Sequence, residues 1–325
     1  MNMRIIPSTA AAIGLAAQHL RAGQLVAFPT ETVYGLGADA ANPDAVRRIF
    51  AVKGRPADHP LIVHVSTMLQ VEHWARAIPD GARKLAAAFW PGPLTLILPR
   101  AAHVNDTVTG GQDSIGLRMP AHPVARDLLA AFAAAGGSGI AAPSANRFGK
   151  VSPTTAQHVA DDLGDAVAMI LDGGACDVGI ESTIVAFTSG EPMLLRPGGI
   201  GFDALAHALG TAPRAWDATA PRASGTLESH YAPRTPARRV VATRLAHECM
   251  RNESPVAVLA RTVSCPAEFT GTWIDAPVDV NRYAHDLYAN LRLLDHAGAT
   301  VILVEDVPGD SAWAAVRDRL TRATN

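Results

Sequence analysis

Cysteine is scarce in this chain. Cys176, Cys249 and Cys265 are odd in number and far apart, with no C-x-x-C pair and no Cys/His cluster at zinc spacing. That argues against a disulfide framework and a structural zinc site, and a reduced, cytosolic setting fits best. Aromatic residues make up only 5% of the chain, and neither sign of charge dominates: 28 Lys and Arg stand against 30 Asp and Glu. A protein that works by clamping nucleic acid usually carries a marked basic excess, so global steering of a polyanion is not supported. No apolar run approaches the ~20 residues of a membrane-spanning helix. The Ala-rich run 10–17 is broken by Gly14 and followed by Gln18, His19 and Arg21. It reads as an amphipathic helix capped by Ser8 or Thr9 rather than as a signal peptide. A Walker loop is missing as well, because Gly149-Lys150 has neither the earlier glycine nor the following Ser/Thr.

What is present is material for a large interior. The chain has 325 residues, 48% of them hydrophobic, which suits two cores better than one. Short apolar strands are predicted at 25–28, 61–65, 94–98, 114–119, 139–142, 168–171, 183–187 and 193–196. Between them, helices are predicted at 10–22, 43–52, 80–89, 124–135, 154–163 and 202–209. Such alternation argues for an α/β or mixed α+β domain over residues 1–210. Residues 211–237, rich in Pro, Ala, Ser and Thr without periodicity, read as a linker. Beyond it, strands at 239–243, 256–260, 273–275 and 301–305 and helices at 281–296 and 312–322 predict a smaller α/β domain over 238–325.

Several motifs could carry chemistry. The apolar strand ending at Phe28 runs into Pro29-Thr30-Glu31-Thr32-Val33-Tyr34-Gly35-Leu36-Gly37, where hydroxyls, a carboxylate and permissive glycines converge. Asn42-Pro43 is a helix start, and Gly54 and Pro56 stop that helix, so Lys53 and Arg55 are presented where the chain turns. Those two cations could equally complement the carbonyl end of their own helix. In Ser114-Ile115-Gly116-Leu117-Arg118-Met119 strict alternation places Ser114, Gly116 and Arg118 on one face. The guanidinium there could meet a carboxylate or simply face solvent. Ala142-Pro143-Ser144-Ala145-Asn146 ends another apolar strand. Glu181-Ser182-Thr183 precedes one, and Arg196 closes one. Gly137-Ser138-Gly139 imitates a dinucleotide fingerprint, but a helix precedes it and a strand follows, the reverse of what that motif needs.

Taken together, PTETVYGLG, the K-x-R of Lys53 to Arg55, the HPLIVH of His59 to His64, the S-x-N of Ser144 to Asn146 and the EST of Glu181 to Thr183 resemble the YrdC/Sua5 family in order and spacing. With His230-Tyr231-Ala232-Pro233 in the linker and the trailing α/β domain, the whole chain is similar to the long, Sua5-type members. The resemblance implies a YrdC-like twisted mixed sheet with flanking helices, followed by a Rossmann-like C-terminal domain. It also implies an ATP-dependent cytosolic reaction in which L-threonine and bicarbonate yield threonylcarbamoyl-AMP and pyrophosphate, with magnesium accompanying the nucleotide. A downstream tRNA threonylcarbamoyltransferase complex would use the product to modify the adenosine beside the anticodon, and a weak tRNA contact is conceivable.

Carried over by position, threonine is expected to meet Thr32, His64, Arg118, Ala142 and Ser182. ATP is expected to meet Lys53, Arg55, His59, Ser114, Ser144, Asn146, Ser152, Arg196 and Tyr231, with Tyr231 folding back over the nucleotide. Lys53, Arg55 and Arg118 are the expected catalytic cations, without a covalent nucleophile or a protein-held metal. Two other readings are an RNA-binding module without chemistry and a carbamoyltransferase. The near-neutral charge and second domain count against the first; the absence of zinc-finger and acylphosphatase segments counts against the second.

Overall fold

The apolar segments pair into two separate sheets. The computed structural model describes residues 5–217, 219–225, 230–251 and 254–324, and the fold is given for these. In the larger sheet the strands are β1 (Ile5–Pro7), β2 (Val26–Phe28), β3 (Gly35–Asp39), β4 (Ile62–His64), β5 (Leu94–Pro99), β6 (Ser114–Arg118), β7 (Ile140–Ala141), β8 (Met169–Asp172), β9 (Thr183–Ala186), β10 (Met193–Arg196) and β11 (Arg214–Ala215). Their spatial order is β1-β8-β2-β3-β7-β4-β6-β5-β9-β10-β11, with parallel and antiparallel neighbours mixed. In β2, Val26 and Phe28 join the apolar cluster of helices Ala10–Arg21 and Pro123–Ala134, while Ala27 joins the cluster on the opposite face. Both faces are covered, which is why this strand reads as an unbroken apolar run.

The smaller sheet contains β12 (Ala237–Val240), β13 (Val256–Ala260), β14 (Thr272–Asp275) and β15 (Val301–Glu305), all parallel, in the order β12-β15-β13-β14. Here the sequence expectation needs one correction. The strand expected at 239–243 ends at Val240, and residues Ala242–Arg251 form a helix. Leu245 and Cys249 are buried on it, and with Ala246 and Met250 they recur at helical spacing, a pattern that the strand reading of 239–243 cut short. The helix Met68–Trp74 and strands β1 and β3 were also not anticipated.

The two units share an interior. Val33, Val151, Ile180 and Tyr231 belong to the same buried cluster as Leu287, Tyr288 and Leu320 of the C-terminal unit. Arg292 crosses the junction to Asp162 at 2.5 Å, and Arg319 crosses it to Glu181 at 2.7 Å. The stretch expected to be a linker, with Tyr231 folding back as a lid, is drawn into this packing. Part of it adds β11 beside β10, and Ala223, His230 and Tyr231 are buried. Residues 218 and 226–229 of that stretch lie outside the described residues.

Candidate active site

The parallel pairing of β4 with β6 sets His64 against Arg118, and the antiparallel pairing of β5 with β6 sets Thr95 against Arg118. In-register partners share a sheet face, so three polar side chains meet at one end of these strands. The loop after β2 reaches the same place. Arg118 Nη1 donates to Thr32 Oγ1 at 2.9 Å, and its Nη2 donates to Glu31 Oε1 at 2.7 Å. Glu31 Oε2 accepts from the Ala121 backbone at 3.1 Å. Burial alone would raise the Glu31 pKa, but the Arg118 guanidinium outweighs it and holds the carboxyl below its ordinary value. Arg118 is buried, which removes the solvent-facing reading, and its Nε has no partner. One donor of the fork is therefore left over.

Local chemistry shapes the loop. Thr30 Oγ1 donates to Val33 O and accepts from the backbone of Thr32 and Val33, closing a turn. Tyr34 donates to Gly174 O and accepts from Gly173 N. The motif glycines serve packing rather than ligand approach: a Cβ on Gly37 would stand 2.9 Å from the Phe28 ring.

Behind the cavity, Asn42 caps the helix Pro43–Lys53 and Gly54 ends it in the left-handed region. Lys53 is thereby directed inward. Its Nζ donates to Ser144 O and Asn146 O, both at 2.6 Å, and to Asn146 Oδ1 at 3.4 Å. Burial, with Arg55 nearby, pushes the Lys53 pKa well below the usual lysine value. Three acceptors nevertheless match the three N–H bonds of an ammonium, so we assign the charged form. Asn146 Nδ2 donates to Arg147 O and Lys150 O, completing a closed network.

On the opposite wall, Arg196 donates through Nε to Ser182 O at 3.0 Å, through Nη2 to Ser182 Oγ at 3.1 Å and through Nη1 to Ser224 O at 2.7 Å. Thr95 Oγ1 lies 2.8 Å from Ser182 Oγ. Arg55 Nη2 donates to Pro60 O and Ser224 Oγ, and its Nε has no partner. Both arginines are buried, and neither forms an ion pair among the described residues. Burial pulls Arg55 down to about 10, with Arg196 adding to the fall. Glu181 is different: burial would raise it, but Arg319 and then Arg196 hold it at about 2.

Thr32, Arg55, His64, Arg118, Ala142, Ser144, Ser182, Arg196 and Tyr231 all line a single cavity. Lys53, Asn146 and Ser152 stand just behind its wall, with their polar groups engaged inside the protein; Ser152 Oγ donates to Glu181 at 2.6 Å. His59 is half-buried beside Phe148, whose ring also meets His230. Ser114 is buried at the other end of β6, roughly 13 Å from Arg118 at the usual strand rise. The sequence did not single out roles for Glu31, Thr95, Glu181 or Ser224. Glu31 and Glu181 lie inside recognised motifs, and Thr95 is the one hydroxyl in an apolar strand. Ser224 sits in a stretch without pattern.

The cavity measures about 50 Å3, well short of the ~300 Å3 or more of an ordinary ligand pocket. Tyr231 and the Ser224-Gly225 turn fill it. Tyr231 is fully buried at φ +62°, and a Cβ on Gly225 would collide with its hydroxyl at 2.0 Å. A larger, mostly apolar cavity of about 680 Å3 lies between the two units, but none of the sequence-predicted site residues lines it.

The family profile Sua5_yciO_yrdC, described as telomere recombination, matches residues 18–198, and a second profile, described as the threonylcarbamoyl-AMP synthase C-terminal domain, matches residues 200–325. A threonylcarbamoyl-AMP synthase from Pyrococcus abyssi is 40% identical, covering 96% of this chain and 94% of its own length. One from Bacillus subtilis is 38% identical over 96% of this chain and 92% of its own. The crystal structure of P. abyssi Sua5 complexed with L-threonine matches at a TM-score of 0.90 and 38% identity, covering 97% of this chain and 95% of that one. The chain thus belongs to the Sua5/YciO/YrdC family, with the C-terminal domain of the threonylcarbamoyl-AMP synthases.

Proposed function

We propose that this chain is an L-threonylcarbamoyladenylate synthase that joins L-threonine, bicarbonate and ATP in the cavity described above, releasing pyrophosphate. The observation that carries the reading is the pair of buried arginines, Arg55 and Arg196. Arg55 Nη2 donates to the Ser224 hydroxyl and Arg196 Nη1 to the Ser224 carbonyl, so neutral oxygens of the linker occupy donors that an anion could take. A triphosphate supplies the missing charge, and charge-assisted bonds to it are the strong kind.

The threonine carboxylate binds the spare Arg118 donor, with Thr32, Ala142 and Ser182 around it. His64, pushed down to about 3 by burial and by Arg118, stays neutral, and its unpartnered Nδ1 is available to the threonine hydroxyl. The threonine nitrogen condenses with bicarbonate, releasing water, and a carbamate oxygen then attacks the α-phosphorus of ATP, breaking its bond to the bridging oxygen that leaves with pyrophosphate. Arg55 and Arg196 offset the charge on the departing pyrophosphate. Ser144 and Tyr231 complete the nucleotide site from the cavity wall, Asn146 and Ser152 support it from behind, and His59 and Ser114, outside this cavity, would reach the nucleotide only once the lid has opened. Lys53 contributes by fixing the 144–146 segment. Positioning and electrostatics suffice for attack at phosphorus.

Magnesium would arrive with the triphosphate. Among the described lining residues Glu181 is the one carboxylate, and both its oxygens are taken by Ser152, Tyr288 and Arg319. We assign residues 1–210 to catalysis, 211–237 to a lid and 238–325 to the C-terminal domain. The lid must open to admit ATP and close to shield the labile adenylate from water. The product would pass to a cytoplasmic tRNA threonylcarbamoyltransferase complex.

Mass spectrometry with labelled bicarbonate tests the reading. Label should appear in threonylcarbamoyl-AMP only when threonine and ATP are both present. Adenylate formed without label would rule the reaction out.

A further inference from the structure

We propose that Arg319 and Tyr288 of the C-terminal unit are positioning residues for the nucleotide site: they engage the Glu181 carboxylate so that it makes no ion pair with Arg196, whose charge is left to an anionic ligand. The proposal rests on the adenylate-forming reading above and gives the C-terminal unit a part in it.

Glu181 lines the cavity and directly precedes Ser182, whose carbonyl and hydroxyl anchor Arg196. It is thus a natural counter-ion for Arg196, yet the two make no ion pair among the described residues. Its Oε2 is taken by Arg319 Nε at 2.7 Å and the Tyr288 hydroxyl at 2.8 Å. Its Oε1 accepts from Ser152 at 2.6 Å. Arg319 has no solvent exposure and also pairs with Asp318. Removing one partner of a buried ion pair leaves the other as an uncompensated charge, so loss of Arg319 acts on Glu181 directly.

The same two side chains bear on the lid. The Arg319 guanidinium lies 5.4 Å from the centre of the Tyr231 ring, and the Tyr288 ring stacks on it at 5.7 Å. Without Arg319, Glu181 is left as a buried anion beside Arg196 and cancels the charge a triphosphate needs. Threonine should feel the change less, because its carboxylate is assigned to Arg118, whose own counter-ion is Glu31, and it reaches this contact only through the Ser182 hydroxyl.

The test is calorimetric titration of full-length wild type, Arg319→Met, Glu181→Gln and the double variant with α,β-methylene-ATP and, separately, with threonine. Arg319→Met should weaken the nucleotide about tenfold or more while leaving threonine within about threefold. Glu181→Gln added to it should restore most of the loss, because the offending charge is gone. Parallel loss of both ligands, or a double variant worse than Arg319→Met, would overturn the proposal. If Arg319→Met fails to fold while the double variant folds, the double variant decides: nucleotide affinity within about threefold of wild type supports the proposal, and a loss of about tenfold or more overturns it. If neither folds, Tyr288→Phe decides: about threefold weaker nucleotide with unchanged threonine supports the proposal, and unchanged nucleotide affinity overturns it. A wild type that binds neither ligand would instead sink the adenylate-forming reading.

Discussion

At the scale of single residues, the site is a set of buried charges, most of which already have partners. Arg118 is matched by Glu31 and Glu181 by Arg319, whereas Arg55 and Arg196 have only neutral acceptors. Arg118→Met leaves Glu31 as an uncompensated buried carboxylate and should cost ~3–5 kcal/mol in urea unfolding. Adding Glu31→Gln should return most of that stability without returning threonine binding; a single variant as stable as wild type would mean that the pair is not buried in solution. The hydroxyls of Thr32 and Ser182 and the neutral His64 imply a pocket that recognises the threonine hydroxyl. Valine should be rejected by ~10⁴ or more in kcat/KM, and serine by only ~10–200-fold. Comparable turnover of valine and threonine would contradict this. Sequence patterns exposed Arg118 through strand alternation and Lys53 and Arg55 through helix-stop chemistry. They could not show that Lys53 turns inward onto the Ser144 and Asn146 carbonyls, since that contact spans about ninety residues.

At the scale of elements, the strands buried on both faces were legible as apolar runs, and the capped helix Pro43–Lys53 was legible from its ends. The helix Ala242–Arg251 was missed although Leu245, Ala246, Cys249 and Met250 recur at helical spacing, because the β-branched run Val240-Val241 read as a strand carrying on to Thr243. The 211–237 stretch was legible only as a largely polar segment with two aromatics, of which Tyr231 is buried and Trp216 exposed; the burial of Tyr231 arises from partners on both units that no local pattern encodes. Deleting residues 219–233 should lower stability, because Tyr231 belongs to the shared core, and should cut product yield per folded molecule at least ~10-fold through loss of water exclusion. Full activity in that variant, measured by product formation, would dismiss the lid.

At the scale of the whole molecule, two sheets with separate cores meet over a third, shared cluster, and the candidate site lies beside that junction. Acid should loosen this arrangement. His64 and His230 are each held at about 3, first by burial; Arg118 adds to the effect on His64, and Lys53, Arg55 and Arg196 add to it on His230. The unfolded chain takes up those protons near pH 6.5 and the folded chain does not, so stability is full above pH 6.5 and falls as pH drops toward 3. Each histidine should contribute a loss of roughly 1 kcal/mol per pH unit across that window. Urea midpoints at pH 7, 6 and 5 check it: a steady decline is expected, and a flat profile would show that these rings are hydrated. No helix among the described residues is long and apolar enough to cross a membrane.

The most direct measurement is a crystal structure of the full chain with threonine and a nonhydrolysable ATP analogue. The account predicts the threonine carboxylate on Arg118, the phosphates between Arg55 and Arg196, and Ser224 displaced from both arginines. Phosphates bound elsewhere, with Ser224 still bridging Arg55 and Arg196, would contradict it.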